Sequence, residues 1–319
     1  MKKISEILEG VKSIAIAGHV HPDGDCIGSC MGMFLYLKEN YPQIHVDVYL
    51  EEPREVFSYI SGINQVIKEV RNPDIYDLLL LFDVSSLDRI GVVGSYMDAI
   101  QHTVCIDHHI TNPGIAEKNH ICPEASSASE VLFELLDKDK INKDTAEALY
   151  TGIVHDSGVF QYNSTSERTM QIGGWLMAKG IPFTRIIENS FYQKTFKQNK
   201  ILGHVLENCI LDEDSNCIFG AVTLEEMETY HVDSSDFEGI VSQLRLTKDV
   251  EAAIFIYEQK PGTFKVSLRS NGKADVSSVA VSFGGGGHKM AAGCTLDGNP
   301  KEIFTQLSTH IKGQLEFAG

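Results

Sequence analysis

The sequence is short of positive charge, of paired cysteines and of long apolar runs. It contains 27 Lys and Arg against 44 Asp and Glu, and the formal net charge of −17 argues against a broad basic surface for long nucleic acid. The seven cysteines are scattered with no CxxC pair, which argues against a disulfide framework and a thiolate zinc site. No apolar run approaches the roughly 20 residues that span a bilayer.

The same absences favour a cytoplasmic protein with no membrane partner. The N-terminus, Met1 to Lys3, leads into an amphipathic acidic stretch and not into the apolar core of a signal peptide. At about 150 residues per domain, the 319 residues predict two domains. We expect a first domain over residues 1–185, a helical linker over 186–206 and a second domain over 207–319.

Short apolar strands alternate with helices in the first half of the chain. Predicted strands cover residues 13–17, 44–49, 78–82 and 103–106, and a first long helix covers 26–39. Ser127 to Glu130 has the pattern of a capping box, and further helices are predicted from Asp144 or Thr145 and from Ser166 or Glu167. Apolar strands separated by helices predict an α/β fold whose mostly parallel sheet carries helices on both faces.

The order of elements changes after residue 206, which predicts a second, smaller α/β domain. Its predicted elements are strands near 217–223, 251–258 and 263–269, a helix from about Asp275, a glycine cluster and a last helix from Pro300.

Asp and His residues cluster where the strands of the first domain end. They are His19, Asp23 and Asp25 after the first strand, Asp83 after the third, and Asp107, His108 and His109 after the fourth; Asp156 follows an apolar helix. Ligands bind beyond the carboxyl ends of strands in open α/β sheets, so these residues are expected to share one crevice. Four carboxylates there would repel one another unless cations compensate them, and two divalent metals would do so. Mixed oxygen and imidazole ligands favour Mn²⁺, with Co²⁺, Fe²⁺ and Zn²⁺ left open.

These motifs resemble those of the DHH phosphoesterase superfamily in order and spacing. The matching segments are His19-x-x-x-Asp23-x-Asp25, Asp83, Asp107-His108-His109 and Gly152 to Gly158, and Gly284 to His288 resembles the glycine-rich motif of the DHHA1 domain. The resemblance covers essentially the whole chain and implies an active-site cleft between the two domains. Length and domain order look like the stand-alone NrnA-like branch, nanoRNases that also dephosphorylate 3′-phosphoadenosine 5′-phosphate.

The resemblance also implies a role for each matching residue. One metal would be bound by His19, Asp23 and Asp83, and a second by Asp25, Asp83, His108 and Asp156. Asp107 would orient its neighbours, and His109 would face the substrate as a catalytic residue. His155 stands where relatives commonly carry Thr, and we expect its side chain to point away from the metals; His21 is left out of the ligand set.

The second domain is predicted to hold the phosphate or nucleotide of the substrate. Glycine amides before a helix start form an anion site, and a short helical turn is expected at Met290 to Ala292. A guanidinium at the end of the strand before it could bind phosphate. The expected substrate-binding residues are Arg269, Ser270, Gly285, Gly286, Gly287 and His288.

The leading interpretation is a Mn²⁺-dependent hydrolase, at once phosphodiesterase, exoribonuclease and phosphomonoesterase. It would act on very short RNA, linear dinucleotides and 3′-phosphoadenosine 5′-phosphate by two-metal hydroxide attack on phosphorus. A cyclic-dinucleotide phosphodiesterase and a non-catalytic nucleotide receptor are the alternatives, with an inorganic pyrophosphatase and a RecJ-like exonuclease ranked below them. Substrate preference, the metal used in the cell, and a monomer or homodimer stay open.

Overall fold

The computed structural model describes residues 3–69 and 76–317, and the chain divides into two compact units between Gln193 and Lys194. Each unit is described by itself. In the described residues, no helix combines the length and hydropathy needed to cross a bilayer.

The first unit is built on a five-stranded parallel sheet. The strand order is β2-β1-β3-β4-β5, and every neighbouring pair runs in parallel. The strands are β1 Ser13–Ala17, β2 His45–Tyr49, β3 Leu78–Phe82, β4 His102–Asp107 and β5 Lys118–Ile121. Central strand β3 consists entirely of buried apolar residues, as a parallel sheet covered on both faces requires. The prediction of a mostly parallel sheet is therefore confirmed.

Helices and loops cover the two faces of this sheet with separate cores. The helices are α1 Ser5–Leu8, α2 Gly24–Asn40, α3 Ala128–Leu135, α4 Lys143–Asp156, α5 Glu167–Met177 and α6 Phe183–Ile187, followed by a π-helical turn at Glu188–Tyr192. Side-chain N-caps fix the start of four of them: Asp23 for α2, Ser127 for α3, Asn142 for α4 and Ser166 for α5. Helix α4 begins at Lys143, before the predicted start at Asp144 or Thr145, because the side-chain oxygen of Asn142 forms the cap.

The second unit is a six-stranded mixed sheet of order β10-β11-β9-β8-β7-β6. Its strands are β6 Ile210–Asp212, β7 Cys217–Val222, β8 Ala252–Lys260, β9 Thr263–Ser270, β10 Gly286–His288 and β11 Ala291–Asp297. Its helices are α7 Phe196–Asn208, α8 Leu224–Tyr230, α9 Ile240–Arg245, α10 Val276–Ser282 and α11 Pro300–Phe317. One face packs against α10 and α11, and part of the other packs against α7 to α9. Most of helix α7 lies in the segment 186–206 that was predicted as a linker, and its Ile201 and Val205 are buried in the core of this unit.

The glycine cluster departs from its predicted structure. A helical turn was expected at Met290 to Ala292, but Gly286–His288 and Ala291–Asp297 form an antiparallel hairpin. The expectation was wrong because β11 pairs along its whole length with β9, and this pairing overrides the helix propensity of the alanines.

Candidate metal centre and substrate residues

The carboxyl ends of neighbouring parallel strands bring the predicted ligands together. His19 follows β1, Asp83 follows β3, and His108 follows β4, while Asp25 lies in the first turn of α2 and Asp156 ends α4. Three sets of side chains have potential ligand atoms that lie within 4.8 Å of one another. They are His19, Asp23 and Asp83; Asp25, His108 and Asp156; and Asp83, Asp107, His108 and His109.

The first set centres on the imidazole of His19, which is 5% exposed. Its Nε2 lies 3.3 Å from Asp83 Oδ2 and 3.6 Å from Asp23 Oδ1. Its Nδ1 lies 2.8 Å from the carbonyl oxygen of Val20, which accepts a hydrogen bond when Nδ1 is protonated. This contact leaves Nε2 for the carboxylates, an arrangement typical of metal-binding histidines.

The second set centres on His108 in the same way. Its Nε2 lies 3.0 Å from Asp156 Oδ2, 3.5 Å from Asp83 Oδ1 and 4.0 Å from Asp25 Oδ2. Its Nδ1 lies 3.3 Å from the carbonyl oxygen of Ala125. Asp83 therefore presents one oxygen to each set, as a ligand shared by two metals would.

The backbone of Asp83 is strained. Its φ is +56°, a value that residues with a Cβ atom rarely adopt. Its amide donates to the carbonyl oxygen of Ile106, and its side chain is 3% exposed. Strain of this kind persists where the surrounding structure enforces it, and it is concentrated at functional sites.

The carboxylate of Asp107 contacts the imidazole of His109. Its Oδ1 lies 2.8 Å from His109 Nδ1, and its Oδ2 accepts a hydrogen bond from Asn112 Nδ2 at 2.7 Å. Asp107 is fully buried, whereas the side chain of His109 is 29% exposed. Asn112 was not predicted as a site residue; its place three residues after His109 and directly before Pro113, a turn signal, was the available clue.

The carboxylates hold both buried imidazoles in the charged form. Burial alone would lower the pKa of His19, but the nearby carboxylates of Asp23 and Asp83 outweigh it and raise that pKa to about 12. Burial opposes charge on His108 likewise, and Asp156 and Asp83 raise its pKa to about 12. A divalent cation bound to the same groups would displace these protons.

The carboxylates themselves differ in their response to burial. Burial raises the pKa of Asp25 well above its ordinary value, and the charges of Asp83 and Asp156 add to the shift. Burial raises the pKa of Asp156 to about 6. Burial has the same tendency at Asp83, but His108 and His19 overcome it and lower its pKa.

Two buried atoms of the cluster make no hydrogen bond of acceptable geometry: Asp83 Oδ1 and His108 Nε2. His108 Nε2 lies 3.0 Å from Asp156 Oδ2 as an ion-pair contact and not as a hydrogen bond. Unpaired buried polar atoms are rare in folded proteins. A carboxylate oxygen and an imidazole nitrogen are both ligands of divalent transition metals, so this donor set fits a metal ion.

His155 and His21 lie outside the three sets of described ligands. The ring of His155 packs between Phe57 and Phe191 and against Gly24, with Nε2 3.0 Å from Ser190 Oγ. The side chain of His21 is 92% exposed.

On the second unit, the strand register places Arg269 and His288 on one face of the sheet. Arg269 pairs with Ala291 on β11, and Ala291 pairs with His288 on β10, so the three side chains form one row. Gly286, Gly293 and Ser267 form the next row, in which only Ser267 carries a side chain. The result is a shallow surface of small residues between a guanidinium and an imidazole.

Two predicted substrate residues have other partners. Ser270 is 1% exposed; its Oγ lies 2.7 Å from the carbonyl oxygen of Ala274 and 3.0 Å from Glu251 Oε1. The amide of Gly285 donates to the carbonyl oxygen of Ala280 at the end of α10. The Ser270 hydroxyl and the Gly285 amide thus have partners within the second unit, and the contact of these two residues with substrate stays a prediction.

A parallel α/β sheet with carboxylates and imidazoles gathered at its carboxyl edge defines an α/β protein with a candidate centre for divalent metals. Residues 13–153 match the DHH family, N-terminal domain, and residues 220–315 match the DHHA1 domain. The chain belongs to the DHH family, in the branch that carries a DHHA1 domain.

Relatives named as oligoribonuclease, phosphatase and phosphodiesterase match 89% or more of the chain, which is therefore a hydrolase. The bifunctional oligoribonuclease and PAP phosphatase NrnA of Thermus thermophilus is 26% identical, with 100% of this chain and 95% of that protein covered. NrnA of Bacillus subtilis is 26% identical, with 89% of each covered. The cyclic-di-AMP phosphodiesterase GdpP of Bacillus subtilis is also 26% identical, over 92% of this chain but only 46% of that protein.

A solved structure agrees with the fold. The crystal structure of an exopolyphosphatase-related protein from Bacteroides fragilis superposes with a TM-score of 0.90 at 28% sequence identity. The match covers 98% of this chain and 96% of that chain.

Proposed function

We propose that this protein is a Mn²⁺-dependent phosphoesterase that hydrolyses very short RNA and 3′-phosphoadenosine 5′-phosphate at a two-metal site. The observation that carries the proposal is the position of Asp83, whose Oδ2 lies 3.3 Å from His19 Nε2 and whose Oδ1 lies 3.5 Å from His108 Nε2. Full-length similarity to proteins named oligoribonuclease and PAP phosphatase supports the choice of substrate.

His19, Asp23 and Asp83 would hold one ion, and Asp25, Asp83, His108 and Asp156 the other. Bound there, two divalent ions would activate a water molecule and offset negative charge on the phosphoryl oxygens.

His109 would supply the proton for the leaving oxygen. Its Nδ1 lies 2.8 Å from Asp107 Oδ1, and this contact raises the pKa of His109 above its ordinary value and so favours the protonated ring. The fixed Nδ1 contact leaves Nε2 free to donate, and the exposed fraction of the side chain gives a substrate access to it. Asp107 thus acts through His109 and not on the substrate.

Arg269 and His288 would bind a phosphate or nucleotide of the substrate across the surface formed by Ala291, Gly286 and Gly293. A guanidinium can donate two parallel hydrogen bonds to a phosphate, and the absence of side chains at the glycines lets a ligand approach the backbone.

The test is turnover of a substrate panel by purified protein with Mn²⁺. The panel contains RNA dimers to pentamers, 3′-phosphoadenosine 5′-phosphate, and linear and cyclic dinucleotides. We expect the short RNAs and 3′-phosphoadenosine 5′-phosphate to be hydrolysed, and Asp83→Asn to abolish turnover. Asp249→Asn, at a side chain that is 83% exposed, serves as the control.

Preferred turnover of the cyclic dinucleotide would favour the activity named for GdpP. Binding of nucleotides without turnover, in protein loaded with two Mn²⁺ ions, would show a receptor and refute the proposed function.

A further inference from the structure

The segment 125–130, which leads from β5 into α3, contacts two candidate ligands of one metal. The carbonyl oxygen of Ala125 lies 3.3 Å from His108 Nδ1. The amides of Ala128 and Ser129 donate to the two carboxylate oxygens of Asp25, at 2.6 and 3.0 Å. His108 follows β4 and Asp25 belongs to α2, so this segment joins ligands from separate elements.

Glu130 fixes the segment in place. Its Oε2 accepts hydrogen bonds from the Ser126 amide at 3.2 Å, from Ser126 Oγ at 2.7 Å and from Thr169 Oγ1 at 2.8 Å. All three residues are buried, and Thr169 belongs to α5. The Glu130 carboxylate therefore connects the turn before α3 to helix α5.

This use of Glu130 differs from the capping box that the sequence predicts. Ser127 Oγ does accept from the Glu130 amide at 3.0 Å. In a capping box the Glu130 carboxylate would accept a hydrogen bond from the Ser127 amide. Here it accepts from Ser126 and Thr169 instead. A buried carboxylate is costly unless its oxygens accept hydrogen bonds, and the three donors to Oε2 offset that cost.

The contacts of the segment favour one metal position. Among the hydrogen bonds of the described residues, those from segment 125–130 reach Asp25 and His108, and none reaches His19 or Asp23. Partners that orient metal ligands contribute to affinity through ligand geometry, and their loss typically costs about 10- to 100-fold.

We infer that Glu130 is a positioning residue for the second metal, acting through segment 125–130 on His108 and Asp25. The inference rests on the proposed two-metal function. It assigns Glu130 no contact with substrate or metal.

The test measures Mn²⁺ binding directly, by calorimetric titration and by electron paramagnetic resonance, on wild type, Glu130→Met and Glu130→Gln. Methionine preserves volume and removes the acceptor, and we expect it to weaken the second Mn²⁺ about 10- to 100-fold while the first binds as in wild type. The resonance signal of a spin-coupled Mn²⁺ pair should give way to that of a single ion. Glutamine retains an acceptor oxygen, so Glu130→Gln should restore most of the second-site affinity.

If Glu130→Met does not fold, Ser126→Ala provides the test, because it removes one hydroxyl donor to Glu130. We expect a smaller loss of Mn²⁺ affinity, again confined to the second metal site. Glu251→Gln is the matched control, because Glu251 is also buried and accepts several hydrogen bonds, but in the second unit. It should bind both ions.

The outcomes separate the two proposals. Wild type that binds fewer than two Mn²⁺ refutes the two-metal function itself. Wild type that binds two, with Glu130→Met and Ser126→Ala either retaining both or losing both to the same degree, refutes the positioning role alone.

Discussion

Gly152 on α4 leaves the space that the carboxylate of Asp25 on α2 occupies: a Cβ atom on Gly152 would lie 2.6 Å from Asp25 Oδ1. It would also clash with Ser129 Oγ. We therefore expect Gly152→Ala to displace Asp25 and weaken Mn²⁺ binding, with a loss of about 1–3 kcal/mol in the free energy of unfolding from overpacking. Calorimetric titration and denaturant unfolding measure the two effects.

Gly174→Ala on α5 is the matched control. A Cβ atom there meets nothing within 4 Å, so the free energy of unfolding should stay or rise by up to about 1 kcal/mol. Metal binding by Gly152→Ala equal to that of wild type would show that Asp25 is not a ligand.

Proton release should accompany metal binding. Since the pKa values of His19 and His108 are raised to about 12, both imidazoles are protonated at pH 7 before a metal binds. A metal binds the neutral ring, so binding must displace these protons, and Mn²⁺ affinity should fall as the pH falls. Calorimetry in buffers of different protonation enthalpy counts the protons. Binding without release, or affinity independent of pH between 6 and 8, would contradict the ligand assignment.

Strands with a strong apolar signal could be predicted from the sequence, and weaker ones could not. Leu78–Phe82 is entirely apolar, and its limits agree with the prediction. Lys118–Ile121 went unidentified because three of the four residues of this edge strand are polar, with no alternation to distinguish it from a loop. The hairpin at Gly286–His288 depends on pairing with distant β9 through β11, which local propensity does not encode.

The ligand positions followed from a general rule of parallel sheets, whereas the residues that hold the ligands did not. Asn112 and Glu130 act through contacts between separate elements, and no spacing along the chain reveals them. The burial of Ser270 could have been predicted from the sequence. Phe264, Val266 and Leu268 alternate on the buried face of β9, and a period of two puts Ser270 on that face as well.

Asp107→Asn should shift the pH dependence of turnover. Asp107 raises the pKa of His109, so its loss should let that pKa fall towards the ordinary imidazole value near 6.5. If protonated His109 donates to the leaving oxygen, the alkaline limb of the kcat profile moves to lower pH. His109→Ala should lower kcat by about 10²- to 10⁴-fold at all pH values. Steady-state profiles on an RNA dimer provide the measurement.

Glu117→Gln supplies the control, because Glu117 forms the same carboxylate–imidazole contact with His102 at 2.9 Å away from the cluster. Its pH profile should match that of wild type. An alkaline limb unmoved by Asp107→Asn would exclude His109 as the proton donor.

Gly286→Ala tests whether a ligand lies against the bare backbone of β10. The added methyl group meets nothing within 4 Å, so the melting temperature should not change. It would occupy the surface beside Arg269 and His288, so KM should rise with kcat preserved. Gly313→Ala on α11, also in open space, should leave both constants unchanged. A KM equal to that of wild type in Gly286→Ala would place the ligand elsewhere.

The last prediction concerns the length of RNA that the enzyme accepts. With a net charge of −17, the protein offers few sites that offset phosphate repulsion along a strand. Arg269 would hold one phosphate or nucleotide of a short ligand, and every further nucleotide of a long one would add repulsion. We therefore expect kcat/KM to fall steeply from dimers to long oligomers, and Arg269→Ala chiefly to raise KM and reduce that preference. A length series of 5′-labelled RNAs with wild type and variant measures both.

Lys301→Ala is the control for lost charge, since it removes one positive charge from α11, the helix that packs on the opposite face of the same sheet. If Arg269 acted only through general electrostatic attraction, the two variants would have equal KM values, because each loses one positive charge from the same domain. Specific binding by Arg269 predicts that Arg269→Ala alone raises KM and that the effect is largest for dimers, where one contact is the greatest share of the total. Equal rates on dimers and long oligomers, or equal KM values for the two variants, would refute the assignment of Arg269 to the substrate.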